Sequence, residues 1–347
     1  MGLKGYIIKR IIYSVGLLFF VITLNFFIFQ LMPGNPLALF MRPGMKPEQI
    51  EQIKETWGFD KPIWEKYIKC VQNLLTWNFG VSLASQAPIS NELSARLGNT
   101  LILMGSSTVL AIIIGIILGV VAAAKRGGII DNLLVVGSLV TYSFPSFWMG
   151  MLAILIFSIW LGWFPTGHPY PPQWSLKYSD IGGLPPPLFQ LQLPVLGVIR
   201  IPSLEEIVGR LHHLFLPMTV LTLFQYGGYL LLTRVVLLET LTEDYILTAR
   251  AKGVKERTIL FKHALKNASL PLITNIALSF GFMLSGAILT ETVFSWEGLG
   301  SWTWRAVILL DYPVLQAMFY IIALCVIVAN FLADLIYGLV DPRIKYE

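Results

Sequence analysis

The sequence predicts an all-α polytopic membrane protein with six transmembrane helices and both termini on the cytoplasmic side. Composition is the first reason. Of 347 residues, 55% are apolar and only 13% charged, with a mean hydropathy of +0.69, whereas soluble domains carry about 25% charged residues. Patterning is the second. Six apolar runs of membrane length alternate with polar segments, and basic residues flank every end expected to lie inside. The net charge of +5 is concentrated beside these runs. It reads as topology and contact with membrane lipid rather than nucleic-acid binding. Cys70 in a polar loop and Cys325 inside an apolar run predict neither a disulfide framework nor a metal site.

Lys4, Lys9 and Arg10 precede the first run, 11–31. A signal peptide has the same polarity, but its apolar core is about 7–15 residues long and ends in small residues. This run is long enough to span and ends in Met32-Pro33-Gly34-Asn35-Pro36, so an uncleaved first helix is expected. With the outer polar loop that follows it makes an N-terminal region, 1–98, ahead of a five-helix core, 99–347. Within the loop, Pro47 opens a short amphipathic helix, 47–53, that breaks at Gly58. Pro62 begins a second helix through about Leu75, and Asn78-Phe79-Gly80-Val81-Ser82 is a turn.

The second span, 99–124, carries Ala111, Gly115, Gly119 and Ala123 at every fourth position. Such a stripe lets another helix approach closely, as generic packing in a bundle. Lys125-Arg126-Gly127-Gly128 closes it on the inside. The third span, 132–161, has Pro145 at its middle, in Ser143-Phe144-Pro145-Ser146-Phe147-Trp148. Proline removes a helical hydrogen bond there and kinks the helix. Trp160, Trp163 and Phe164 form an outer aromatic belt. The proline-rich outer loop 165–213 is expected to have little regular structure before a short helix near 203–211. His168, His212 and His213 lie in this loop, too few ligands for a metal site. The fourth span, 214–238, has Gln225, Tyr226 and Arg234 as its polar members. The fifth, 271–293, contains Asn275, Ser279 and Ser285, with Glu291 at its outer end. Asp311-Tyr312-Pro313 begins the sixth, which ends near Tyr337 and leaves Arg343 and Lys345 inside.

The fourth and fifth spans are joined by the segment on which the rest of the chain turns, the cytoplasmic hairpin 242–270. Its punctuation is that of two short helices around a break. Thr242 can cap the first, with Glu243 and Asp244 in the first turn. Arg250 and Lys252 fall in the last turn, and Gly253 supplies the left-handed residue that ends it. The second helix starts near Lys255-Glu256 and runs to Lys266, and Asn267 can end it before Pro271. A mere solvated connection needs only a handful of residues.

Chemistry-bearing motifs are missing. There is no G-x-x-x-x-G-K-[ST], no H-E-x-x-H and no G-x-S-x-G. Ionisable residues within the runs are few and lie near helix ends, which argues against a self-powered carrier. An enzyme is not expected; an energy source must come from a partner, and the basic hairpin is where it would push.

At this point the residues resemble a known family, the type I ABC-importer permeases of the dipeptide/oligopeptide class, specifically the first of the two permease subunits. The hairpin Asp244-Tyr245-x-x-Thr248-Ala249-Arg250-Ala251-Lys252-Gly253, with His263-Ala264-Leu265-Lys266-Asn267 and Leu270-Pro271, is similar to that family's EAA loop. Pro33-Gly34-Asn35-Pro36, Phe79-Gly80-x-Ser82, Ser143-Phe144-Pro145-Ser146-Phe147, Glu291-Thr292-Val293-Phe294 with Gly298-Leu299-Gly300, and Asp311-Tyr312-Pro313 match in order. The sequence departs from the pattern at Leu247, where the general EAA glutamate falls, at Asn35, usually Asp, and at Glu297, often Pro. The loop 165–213 is longer than the class leads one to expect.

The resemblance implies a subunit of an ATP-driven importer in a prokaryotic plasma (inner) membrane. Its partners would be a second, similar permease, two ATP-binding subunits and an extracytoplasmic solute-binding protein. ATP and Mg would be held by the ATPase subunits and no cofactor by this chain. The solute would be a dipeptide or oligopeptide; oligosaccharide, nickel or glutathione are the alternatives within the same machine, and a channel or membrane scaffold is the alternative outside it. The hairpin would be a coupling helix seated in a groove of one ATPase. Tyr245 and Ala249 share a face at i, i+4 spacing and would fill that groove. Arg250 and Lys252 would meet acidic residues at its rim, Thr248 belongs to the same motif, Asp244 would cap, and Gly253 would serve backbone geometry. Spans two to five would line the pathway, with Ser143, Pro145, Gln225, Tyr226, Asn275 and Ser279 as candidates; each polar one serves equally well as an interhelical hydrogen bond.

Overall fold

The computed structural model of the chain describes residues 3–31, 47, 51, 61–179, 183–193, 197–283 and 286–340. The Pro33-Gly34-Asn35-Pro36 motif, most of the expected helix 47–53, the break at Gly58, Ser285, Arg343 and Lys345 lie outside the described residues.

The elements in chain order are helices α1 (Leu3–Leu31), α2 (Ile63–Leu75), α3 (Ile89–Ala124), α4 (Ile129–Ser143), α5 (Ser146–Ala153, continued by π-turns Ile154–Trp160) and α6 (Trp174–Lys177). Strands β1 (Phe189–Leu193) and β2 (Gly197–Ile201) follow. Then come α7 (Leu204–Thr240), α8 (Asp244–Ala251), α9 (Glu256–Thr258), π-turns Ile259–Ala264, α10 (Leu265–Asn267), α11 (Ser269–Met283), α12 (Ile288–Val293), α13 (Leu299–Ile308) and α14 (Tyr312–Val340).

Among the described residues, four helices are long and apolar enough to cross a membrane: Ile7–Phe29, Ile89–Ala124, Leu204–Thr240 and Tyr312–Leu332. The pair Ile129–Ser143 and Ser146–Trp160 makes a fifth span if read as one. All six apolar runs are helical, but two are broken. The third does not merely kink at Pro145; its halves are bent by 93°. Phe144, disfavoured from helical geometry by the proline that follows, is extended at ψ 137°, and Pro145 itself sits at ψ 133°. Two successive non-helical residues turn the chain where a kink would only tilt it. The fifth run is divided into α11 and α12, with Gly286 between them at φ +73°, a left-handed conformation that no right-handed helix can include.

Two spans are longer than expected. α3 begins at Ile89 rather than 99, just after Pro88, because Ile89 and Leu93 continue its buried face. α7 absorbs the expected short helix 203–211; Ser203 caps it by accepting from the Glu206 N–H. At 36 and 37 residues each is about 55 Å long and overshoots a hydrocarbon core of about 30 Å. The loop 165–213 is also more ordered than its prolines suggest. β1 and β2 pair antiparallel with Leu191 opposite Ile199, and Pro185, Pro186, Pro187 and Pro202 flank the strands without interrupting them. Trp174 is buried against α7, where a Cβ on Gly209 would lie 2.5 Å from its ring.

The chain forms two compact units. In the first (Met1–Gly98, Ala277–Ser285, Trp302–Glu347), α1 packs along α14. Asn25 donates to the Gln316 carbonyl at 3.0 Å, and the Phe29 and Tyr312 rings meet edge-on at 6.1 Å. α2 joins through Tyr67, whose ring is 5.4 Å from that of Phe26 and whose hydroxyl is 2.8 Å from that of Thr23. Two motifs far apart in sequence meet at Asp311, a buried carboxyl. It accepts from the Ser82 hydroxyl at 2.6 Å and from the Leu83 and Ala84 N–H groups at 3.1 Å. Cys70, in α2, and Cys325 are both free thiols.

In the second unit (Asn99–Ile276, Gly286–Ser301), α3 and α7 cross through the small-residue stripe. A Cβ on Gly115 would lie 2.5 Å from Tyr229 Cβ, and one on Gly119 would lie 2.6 Å from Thr233 Cβ. α4 crosses α7 nearby, with Gly227 against the Ser138 carbonyl. The same helices share an ion pair unmarked by the sequence reading. Arg234 donates from Nε and Nη2 to the two oxygens of Asp131 at 2.6 and 2.8 Å, and the Gly127 N–H adds a third bond at 2.9 Å.

Candidate functional site

The hairpin is built as the sequence punctuates it, with its caps shifted. Thr242 does not cap α8. Its hydroxyl donates to the Glu239 carbonyl at 2.7 Å and closes α7 instead. Glu243 takes the N-cap position without a side-chain bond, so Asp244 is the first helical residue, exposed, and not the cap. Its carbonyl accepts the Thr248 hydroxyl at 3.0 Å, so that hydroxyl serves its own helix.

The end of α8 agrees with expectation. Gly253 has φ +73°. Its N–H reaches the Arg250 carbonyl at 2.9 Å, and the Val254 N–H reaches the Ala249 carbonyl at 3.2 Å. These paired bonds are the Schellman closure, which needs a left-handed residue between helix and chain. Val254 then packs against the buried cluster beneath. Lys252 ends the helix at φ −78°, ψ 2°, fully outward.

The face of α8 differs from expectation in a way that matters. Ile246, unmarked in the sequence reading, is 0% exposed and is the anchor. Ala249 packs on the same inward cluster and is not an outward partner of Tyr245. Tyr245 is 39% and Leu247 54% exposed, so the outward face is Asp244, Tyr245, Leu247, Thr248 and Lys252. Leu247 is the residue the pattern reading flagged only as a departure; an apolar side chain in place of an expected carboxylate was the available signal. Arg250 is exposed and engaged within the hairpin. It donates to Glu256 at 2.7 and 3.4 Å, tying the two arms across Gly253. Both side chains are exposed, so the pair contributes roughly 0–1 kcal/mol.

The second arm does not follow a plain 3.6-residue period. The π-turns Ile259–Ala264 insert a wider turn. They bring Ile259, Leu260, Ala264 and, past α10, Ala268 onto the cluster while Phe261, Lys262 and Lys266 stay exposed. The helix is interrupted at Ala268, three residues before Pro271, which has no N–H to give the Asn267 carbonyl and whose ring crowds it. The cluster itself reaches beyond the hairpin: Val120 and Ala123 of α3 and Val236 and Leu237 of α7 complete it.

The candidate pathway residues are carried by the α4–α5 bend, α7 and α11. Ser143 and Pro145 are exposed at the α4–α5 bend, and the Ser143 hydroxyl donates to the Leu139 carbonyl at 2.7 Å. Gln225 accepts from Thr108 at 3.2 Å, an interhelical bond between α7 and α3. Tyr226 is half-buried on α7, and Asn275 and Ser279 are half-buried on α11.

A second built feature lies on α3 at Asn99 and Thr100, about 35 Å along the helix from Ala123. Glu291, 0% exposed on α12, accepts from the Thr100 hydroxyl at 3.0 Å and from the Ser301 N–H at 2.9 Å. Thr100 in turn accepts from the Leu299 N–H at 2.8 Å. Asn99 donates to the Glu297 carbonyl and accepts from the Trp296 indole, both at 2.9 Å. Gly298 and Gly300 admit no side chain here; a Cβ on Gly298 would meet Glu291 Oε2 at 2.5 Å. The turn also fastens its neighbours. The Phe294 ring fills the space above Gly150, and its carbonyl accepts the His168 N–H at 2.9 Å.

Residues 115–346 match the family described as the binding-protein-dependent transport system inner membrane component, and residues 3–104 match its N-terminal region. The oligopeptide transport system permease protein AppB of Bacillus subtilis is 37% identical over 345 residues, covering 99% of this chain and 100% of that one. The dipeptide transport system permease protein DppB of Escherichia coli K12 is 35% identical over 348 residues, 99% of each chain. The glutathione transport system permease protein GsiC of Escherichia coli K12 is 32% identical over 343 residues, again 99% of each.

Proposed function

The chain belongs to the binding-protein-dependent transport system inner membrane components, and from that premise we propose that it forms half of a translocation pathway for peptides. It is a transport permease of the ABC importer type, with hydrolysis carried by separate ATPase subunits. The proposal adds its company: a second similar permease, two ATPases holding ATP and Mg, and a binding protein that delivers the solute. Dipeptides or oligopeptides are the solute supported by the names of the relatives at 35–37% identity.

The observation that carries the coupling role is the two-faced hairpin. Its inward face is seated on α3 and α7 through Ile246, Ile259, Leu260 and Ala264. Its outward face leaves Tyr245 and Leu247 exposed on an ordered base, an apolar pair flanked by Lys252 that fits a groove with an acidic rim. A partner that moves this face moves the ends of two long helices with it.

Purification of the tagged chain from its own cells in mild detergent tests the reading. Recovery of a second permease, two P-loop ATPases and a binding protein is expected, with a peptide trapped in the binding protein. Glutathione in its place moves the assignment to glutathione transport, the function named for the 32% identical relative. A stable lone chain without ATPases overturns the importer reading and favours a channel or scaffold.

A further inference from the structure

We infer that α3 and the Thr100–Glu291 clasp form one rigid lever that carries hairpin motion to the turn 294–301 at the opposite end, making Thr100 and Glu291 positioning residues for transport. The inference rests on the coupling role proposed above and adds where the motion is delivered.

Three observations meet on one helix. Val120 and Ala123 of α3 are buried in the hairpin cluster with Ile246, Ile259 and Ala264. From Ala123 back to Thr100 the helix is unbroken and rises about 35 Å. At Thr100 it is fastened to the turn by a closed set of bonds. The hydroxyl donates to Glu291 and accepts from Leu299, and Glu291 holds Ser301. Asn99 adds two more bonds to the turn, at Trp296 and Glu297. The clasp is too tightly built to slide, since Gly298 and Gly300 lie against Glu291 Oε2 with no room for a Cβ. The turn in turn touches α5 at Gly150 and the loop 165–213 at Gly167 and His168. A displacement of the α3 inner end therefore reaches α5 and the long loop through the bonds that Asn99 and Thr100 make with the turn.

The chemistry of the clasp is specific. Both Glu291 oxygens act as acceptors. In Glu291→Gln one of them becomes an amide N–H facing a donor, and in Thr100→Val the Leu299 N–H and Glu291 Oε1 each lose their bond to Thr100. Thr100→Ser keeps every bond.

The test uses the whole importer, with both permeases, ATPases and binding protein, reconstituted in liposomes. The ratio of ATPase activity with loaded binding protein to activity without it is expected to fall about tenfold in T100V and E291Q and to be restored in T100S. Spin labels at Val121 and Glu297, in a background with Cys70→Ser and Cys325→Ser, supply a second readout that needs no clasp mutation. The distance distribution is expected to be the same with and without ATP, and to broaden on adding T100V. A distribution that shifts with ATP while the clasp is intact overturns the lever, as does a wild-type ratio in T100V. If E291Q fails to assemble, T100V and the labels still decide. G253V separates the two ideas: full stimulation in G253V removes the coupling reading, whereas loss in G253V with none in T100V removes only the lever.

Discussion

Replacing Gly253 isolates the hairpin's backbone geometry from everything else it does. The residue sits at φ +73°, and a Cβ built there meets nothing within 4 Å. Substitution therefore adds no clash, and its whole effect is the left-handed conformation, about 1–2 kcal/mol for an ordinary L-residue. That is roughly a 5–30-fold shift against the native end of α8. The loss stays local, because the Gly253 and Val254 hydrogen bonds are what it spends, while Ile246, Ile259 and Ala264 remain buried beneath. Insertion and bundle packing should be unchanged. Asparagine, which tolerates this region, should retain most uptake; alanine should lose several-fold; valine, β-branched and least tolerant, should lose most. The assay is solute uptake and solute-stimulated ATPase of the reconstituted importer, normalised to the amount of assembled complex. Valine at wild-type rates would refute the argument that the left-handed closure sets the pose of the docking face.

The remaining predictions address packing, charge and reactivity. Gly119→Val forces Cβ toward Thr233 Cβ and the Leu230 carbonyl, at 2.6 and 2.7 Å; part of that contact is backbone, so overpacking should cost about 1–3 kcal/mol or more and lower the melting temperature in detergent, whereas Gly137→Ala, with nothing within 4 Å, should leave it unchanged. Asp131→Ala leaves Arg234 without its two carboxylate bonds and should destabilise by about 3–5 kcal/mol, seen as lost folded protein on size-exclusion; retention of full stability would show the pair to be dispensable. Burial pushes the Cys70 thiol up to about 11, with the Gln316 hydrogen bond lowering it in part. A raised value keeps the thiol protonated, so maleimide labelling of the C325S protein should still climb tenfold per pH unit near pH 10, where an ordinary thiol near 8.5 has levelled off; a plateau by about pH 9 would contradict the burial.

Much of the architecture was legible because it rests on side-chain chemistry that repeats. Apolar runs, the every-fourth-residue stripe and the Gly253 stop each have a local cause, and each appears where the sequence places it. What was not legible depends on partners far along the chain. Ser82 and Asp311 are 229 positions apart, and nothing in either neighbourhood says that one holds the other. Asp131 stands just before the third run, and nothing near it in sequence points to Arg234, 103 positions away. The face of α8 was misread for a related reason: 3.6-residue spacing groups Tyr245 with Ala249 but cannot say which side meets the bundle. The π-turns at Ile259–Ala264 escape any fixed period, because they exist to bring two successive residues, Ile259 and Leu260, onto one buried face.

The balance of forces within the hairpin suits the coupling role proposed for it. Among the described residues its outward face carries an exposed ion pair, Arg250–Glu256, worth roughly 0–1 kcal/mol. Inward, Ile246 and Ile259 are 0% exposed, and burial of one such side chain contributes about 1.5–3 kcal/mol. A pull on Tyr245 and Leu247 is therefore resisted mainly by apolar contacts with Val120, Ala123, Val236 and Leu237, which belong to helices α3 and α7. Each is about 55 Å long, and they are locked to one another at Gly115 and Gly119, where no side chain separates their backbones. The hairpin's seat therefore rests on two helices packed backbone against backbone at their crossing, of which α3 also holds the turn 294–301 through Asn99 and Thr100 and α7 packs against Trp174 at Gly209.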